Sequence, residues 1–278
     1  MIVDCHTHIN CAAENIEASE HLAATETVDI CIVLAAPEGP SQEVNKKLSE
    51  YISRHKEKMI GFAVVEPTKD KISVKNLASL RDLGLKGTVL YCSQCGFHPA
   101  NSRAMKFYES AQELGLPVFF HNSPLGEAEG EMVLGPARHG KAVGRAREAV
   151  LDYAQPYLLD EVAREFSALK IVIGTMGSPF VEQTLSMVAK HKNVYADLTI
   201  KPSNVWQVYN TVTAAHECGV MDKLLFGSGF PFGKAEECIE TLLSFNKLLA
   251  DTNLPTVPRG NIQNIVERDT LEVLEIKK

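Results

Sequence analysis

Eight short apolar runs recur along the chain: Ile2–His6, Val28–Leu34, Ile60–Val65, Lys86–Tyr91, Pro117–His121, Lys170–Gly174, Asn193–Leu198 and Lys223–Gly227. Each is too short for a helix and too continuously apolar for a strand with one wet face. Such runs read as strands buried on both sides, as in a parallel sheet. Between them lie stretches of helical spacing. In Gln42–Arg54, Val44, Leu48, Tyr51 and Ile52 share one face; in Phe180–Ala189, Val181, Leu185 and Val188 do so. Strands alternating with helices predict an α/β fold. Eight such units in roughly 250 residues fit a (β/α)₈ TIM barrel better than a doubly wound sheet. No Gly-rich phosphate loop follows the first run.

The repeat stretches once. From Asn122 to about Asp152 the chain carries Gly126, Gly130, Gly135, Pro136, Gly140 and Gly144 among mixed charges. This reads as a long loop, with a short helix near its end, leaving the C-terminal mouth of the barrel where active-site lids grow. From Pro255 onward Ile262, Ile265, Val266, Leu271 and Leu274 give the tail a helical pattern suited to packing on the barrel exterior. No linker or repeat interrupts the chain, so residues 1–278 are expected to form one domain.

Composition narrows the function classes. The 278 residues are 45% hydrophobic and 23% charged, with a formal net charge of −7. An acidic balance argues against nucleic acid or an acidic membrane surface as partner. No stretch approaches the roughly 20 apolar residues of a membrane span. Ile2 and Val3 already read as strand, so no leader is expected. The seven cysteines are an odd set without framework spacing, which points to reduced thiols and a cytoplasmic protein.

The candidate chemistry begins in the first strand. Side chains alternate along a strand, so His6 and His8 point the same way, into the barrel mouth, with Asp4 on the same face. Asp4 is the residue expected to orient an imidazole. His121 closes the fifth run, "LPVFFH", and should reach the same mouth. Three imidazoles and a water are a standard catalytic zinc arrangement. The alternative is a pair of histidines bonded within a turn, with His121 a polar strand cap.

In this order and spacing, "DCHTH", "GLKGTVL" followed by "GFHPAN", "LPVFFH", "KIVIGTMGSP", "NVYADLT" and "KLLFGSGFPFG" resemble the amidohydrolase superfamily over nearly the whole chain. The likeness is to its amidohydrolase-2 type, the branch of hydrolases and decarboxylases acting on small carboxylated, often aromatic or lactone, substrates. The resemblance implies a metal held by His6, His8 and His121. It also implies a histidine in the sixth-strand segment and an aspartate in the eighth. Those positions are Thr175 and Gly229, so the metal site is altered.

Cys92 and Cys95, in "YCSQCGFHP", are the candidate substitute ligands, since a thiolate carries the missing negative charge; idle thiols are the plainer reading. His98 is the remaining candidate for proton transfer or substrate contact. Glu66 and Asp197 are carboxylates that either face the mouth or pair structurally. Lys86 belongs at the bottom of the barrel. Arg103, Arg138 and Arg145 are candidates to clamp a carboxylate, or simply solvated. Imidazole ligands favour zinc, with manganese, iron or nickel also open. The expectation is therefore a metal-dependent hydrolase or decarboxylase of a small carboxylated or cyclic substrate. Two alternatives are a barrel that binds a small molecule or partner without chemistry and a metal-independent enzyme. A homodimer would be common for such a barrel.

Overall fold

The computed structural model describes residues 1–9, 16–121 and 149–277. Eight parallel strands follow one another in sheet order: β1 (Val3–Thr7), β2 (Ile30–Leu34), β3 (Met59–Val64), β4 (Gly87–Leu90), β5 (Val118–Phe120), β6 (Ile171–Ile173), β7 (Val194–Asp197) and β8 (Leu224–Leu225). The last strand returns to the first. Cys5 N donates to Phe226 O, Gly229 N to His6 O and His8 N to Phe230 O, each at 2.9 Å. A parallel bridge also pairs Thr7 with Phe230. The sheet thus curls into the expected barrel.

All eight apolar runs are strands, but most are shorter than their apolar pattern. Lys223–Gly227 contributes only two residues to the ladder with β7; beyond them Phe226 O accepts from Cys5 of β1 and Gly227 O from Ile200, past the end of β7. Nearly every strand residue is buried, as sheets covered on both faces require.

The helices pack outside. They are α1 (Ile16–Ala24), α2 (Ser41–Arg54), α3 (Val74–Asp82), the single turn α4 (Cys92–Cys95), α5 (Ser102–Glu113), α6 (Asp160–Glu165), α7 (Val181–Lys190), α8 (Val205–Glu217), α9 (Ala235–Ser244), α10 (Arg259–Val266) and α11 (Thr270–Val273). On α2 the buried face is Asn45, Leu48, Tyr51 and Ile52. Asn45 was absent from the apolar stripe. Its amide pairs with both backbone groups of Val64, at 2.8 and 2.9 Å, tying the helix to β3. The tail forms α10 and α11, which pack on β8 and β1 respectively. The segment 122–148, with Arg138 and Arg145, lies outside the described residues; just beyond it Leu151–Ala154 form one 3₁₀ turn. Among the described residues, no helix is long and apolar enough to cross a membrane.

Candidate functional site

β1 delivers two imidazoles to the barrel mouth and β5 a third. His6, His8 and His121 are all buried. Their metal-capable nitrogens lie within 4.8 Å of one another. Nε2 of His8 stands 3.0 Å from Nε2 of His6 and 3.2 Å from Nε2 of His121. The rings meet edge to face, with centroids 5.0 to 5.2 Å apart. Phe119, two residues before His121 and so on the same face of β5, packs edge-on against His6 at 5.1 Å. Tyr91, at the end of β4, stacks on His121 at 4.6 Å.

The opposite ring nitrogens fix the tautomers. Nδ1 of His6 lies 2.5 Å from Oδ2 of Asp197, and Nδ1 of His8 lies 3.1 Å from the carbonyl of Leu34. A carboxylate and a carbonyl only accept, so each of these Nδ1 atoms carries the proton. Both Nε2 lone pairs are then left facing inward at 3.0 Å. Such a contact repels unless a proton or a cation sits between them. Three nitrogens bound about 2.0–2.1 Å from one tetrahedral zinc stand about 3.3 Å apart, close to the spacing here. The donor set therefore fits a divalent metal of the kind that prefers imidazole.

Asp197 is the hub behind His6. It is fully buried, and besides His6 it accepts from the backbone of Thr175 and Thr199, each at 2.9 Å, and from the Thr199 hydroxyl in a short bond. Burial alone would raise its carboxyl, yet the attraction of His6 and the bonds from His6, Thr199 and Thr175 hold it below the ordinary carboxylate value.

Asp4, expected to orient an imidazole, does a different job. Its Oδ1 accepts from the backbone of His6 at 3.2 Å and of Ser228 at 3.0 Å, so it fastens β1 to the segment after β8. Burial, offset in part by those bonds, pushes its carboxyl up to about 6. Period-two alternation placed Asp4 on the correct face but could not say that a carboxylate from β7 reaches the ring first.

The other candidates are placed as follows. Cys92 and Cys95 span α4, and the metal-capable cluster among the described residues contains neither. Burial and the neighbouring Cys95 push the Cys92 thiol well up, away from a thiolate. His98 is half-buried; its Nδ1 accepts from Ala100 N at 3.0 Å, and its ring meets Tyr153 edge-on. Glu66 pairs with Lys69 at 2.7 Å. Arg103 spends its guanidinium on the carbonyls of Thr68 and Asp70. Lys86 lines a cleft at the N-terminal ends of the strands with Ile30 and Met59.

Thr175 and Gly229, where the resemblance implied a histidine and an aspartate, both border Thr199. Thr175 Oγ1 lies 3.4 Å from Thr199 Oγ1. A Cβ on Gly229 would stand 2.8 Å from the Thr199 methyl, and Gly229 has φ +65°. Restoring an aspartate there is thus opposed twice, by contact and by a left-handed backbone costing a non-glycine residue about 1–2 kcal/mol. Gly229→Asp is expected to lower stability by at least that amount in urea denaturation. A variant as stable as wild type would show that Thr199 yields freely.

A closed parallel barrel with three buried imidazoles converging in its mouth defines the class: a (β/α)₈ protein carrying a metal-capable His₃ cluster. The amidohydrolase family profile matches residues 3–261, and the chain belongs to that family. No curated protein matches. Solved structures similar over almost the whole chain include a probable 2-pyrone-4,6-dicarboxylic acid hydrolase from Acinetobacter baumannii with citric acid bound (16% identity, TM-score 0.66, 99% of each chain covered). Another is 5-carboxyvanillate decarboxylase from Sphingomonas paucimobilis (12%, 0.62, 99% of each). A third is the 5-carboxyvanillate decarboxylase of Novosphingobium aromaticivorans, complexed with manganese and 4-hydroxy-3-methoxy-5-nitrobenzoic acid (12%, 0.64, 99% of this chain and 96% of that one). At these identities the likeness speaks for the fold.

Proposed function

We propose that the protein is a metal-dependent hydrolase or decarboxylase of a small carboxylated aromatic or cyclic lactone substrate. The observation that carries this reading is the convergence of three Nε2 atoms, with the Nδ1 protons of His6 and His8 held elsewhere by Asp197 and Leu34. His6, His8 and His121 would hold the metal, with zinc favoured by an all-imidazole set. Bound there, a divalent ion supplies Lewis acidity toward a carbonyl or carboxylate oxygen of the substrate.

The protein residues do the rest. Asp197 and the Leu34 carbonyl orient two of the imidazoles, so that little reorganisation accompanies binding. Phe119 and Tyr91 wall the cluster with apolar ring surface and keep water from its flanks. His98 accepts at Nδ1 from its own loop, which leaves Nε2–H as a donor toward a substrate oxygen; we propose it as the substrate-contacting residue. The glycine at 229 supports an anionic substrate. All three ligands are neutral, so the double charge of a divalent ion is left uncompensated by them. A substrate carboxylate supplies the missing countercharge.

The test is turnover with metal control. Protein loaded with zinc or manganese is assayed for carbon dioxide release from carboxylated phenols and for ring opening of pyrone dicarboxylates. Activity in one series is expected, abolished by a chelator, restored by the ion and absent in His121→Ala. Turnover that survives exhaustive chelation contradicts the proposal. Ligand-induced stabilisation without any turnover would mark a binding protein instead.

A further inference from the structure

The loop after β7 holds Thr199 in a conformation that a β-branched residue rarely adopts. Its φ is +34°, and Thr175 and Met176 beside it are also left-handed, at +50° and +51°. Such strain persists where surrounding structure over-determines it, and it clusters at functional sites. The bonds of Thr199 show what it is held for. Its hydroxyl has a single proton, which goes to Oδ2 of Asp197. Toward Nδ1 of His6, 2.9 Å away, it therefore presents a lone pair. Both oxygens facing that nitrogen are acceptors, and both demand Nδ1–H. Thr175, whose hydroxyl lies 3.4 Å away, supplies a donor to the same oxygen. The Thr199 methyl meanwhile fills the space a side chain on residue 229 would enter.

We propose that Thr199 is a positioning residue of the imidazole cluster. Its hydroxyl locks Asp197 and the Nδ1–H tautomer of His6, and its methyl packs the gap left by glycine at 229. The two positions at which the chain departs from its family, Thr175 and Gly229, are then joined in one replacement arrangement built around this threonine. The inference rests on the metal-site reading for its effect on affinity, but not for its effect on the ring proton.

Two measurements test it. In chelator competition, Thr199→Val, which keeps the shape and loses the hydroxyl, is expected to weaken zinc binding about 10–100-fold, the usual cost of losing a group that orients a metal ligand. Thr199→Ser retains most of the affinity. In metal-free protein, nitrogen NMR of His6 is expected to show the Nδ1–H tautomer alone in wild type and in Thr199→Ser. In the valine variant Asp197 loses the hydroxyl that holds Oδ2 against His6, and a mixture with the Nε2–H form is expected. Should the valine variant not fold, Thr199→Ala carries the same comparison. Wild-type zinc affinity in a folded valine or alanine variant overturns the proposal, as does an unchanged tautomer. If wild type binds no zinc, the metal reading fails and the tautomer result alone decides the role of Thr199.

Discussion

Replacing Asp197 with alanine is expected to destabilise the protein by about 3–5 kcal/mol, since each buried donor left without an acceptor costs about 1–3 kcal/mol and several are left. The cost is large because five donors lose their acceptor together: Nδ1–H of His6, the backbone N–H groups of Thr175 and Thr199, the Thr199 hydroxyl and, more weakly, the Cys5 thiol. None can turn to solvent, since Asp197 and His6 are wholly buried. Asp197→Asn separates the two roles of the residue. It keeps the volume and one acceptor oxygen but brings an amide donor into a site furnished with donors. Its stability should fall less than that of the alanine variant, while the His6 ring loses its fixed tautomer. Urea denaturation of both variants checks the order. Equal, small losses in both would show that Asp197 is not the hub.

Replacing His8 with alanine is expected to cripple metal binding, and to cost metal-free stability only what a lost buried ring and its bond to Leu34 are worth. Without metal, the variant loses the bond from Nδ1 to the Leu34 carbonyl and the packing of a buried ring. With metal, His8 is one of three protein ligands. If about 10–16 kcal/mol of binding is spread over four coordination positions, one ligand is worth roughly 2.5–4 kcal/mol, or about 10²–10³ in affinity. Thermal denaturation with and without zinc reads both effects at once. A folded His8→Ala protein that gains as much stability from zinc as wild type would mean that His8 is not a ligand.

The fold was legible because each strand is buried on both faces and announces itself as an unbroken apolar run. The three histidines were legible too, because period two and strand ends placed His6, His8 and His121 in one mouth. What decided the rest was contact between strands distant in sequence. Asp4 and Asp197 are both carboxylates on inward-facing strand positions. Only the closure of β8 onto β1, which brings β7 within reach of His6, determines which of them carries the imidazole. Thr199 gave no signal at all: a threonine after a strand is ordinary, and its left-handed backbone is invisible in a list of residues. Cys92 looked available because spacing does not report burial. Gly229 read as a simple loss, and the space it leaves to the Thr199 methyl appears only in three dimensions.

The central claim is that three imidazoles hold a divalent metal. The most direct measurement is elemental analysis of protein purified without added metal or chelator, repeated after incubation with zinc, manganese, iron(II) and nickel ions. The account predicts about one equivalent of zinc or another transition metal per chain, as expected of a three-histidine site. A folded protein that remains free of metal under every one of these conditions would contradict it.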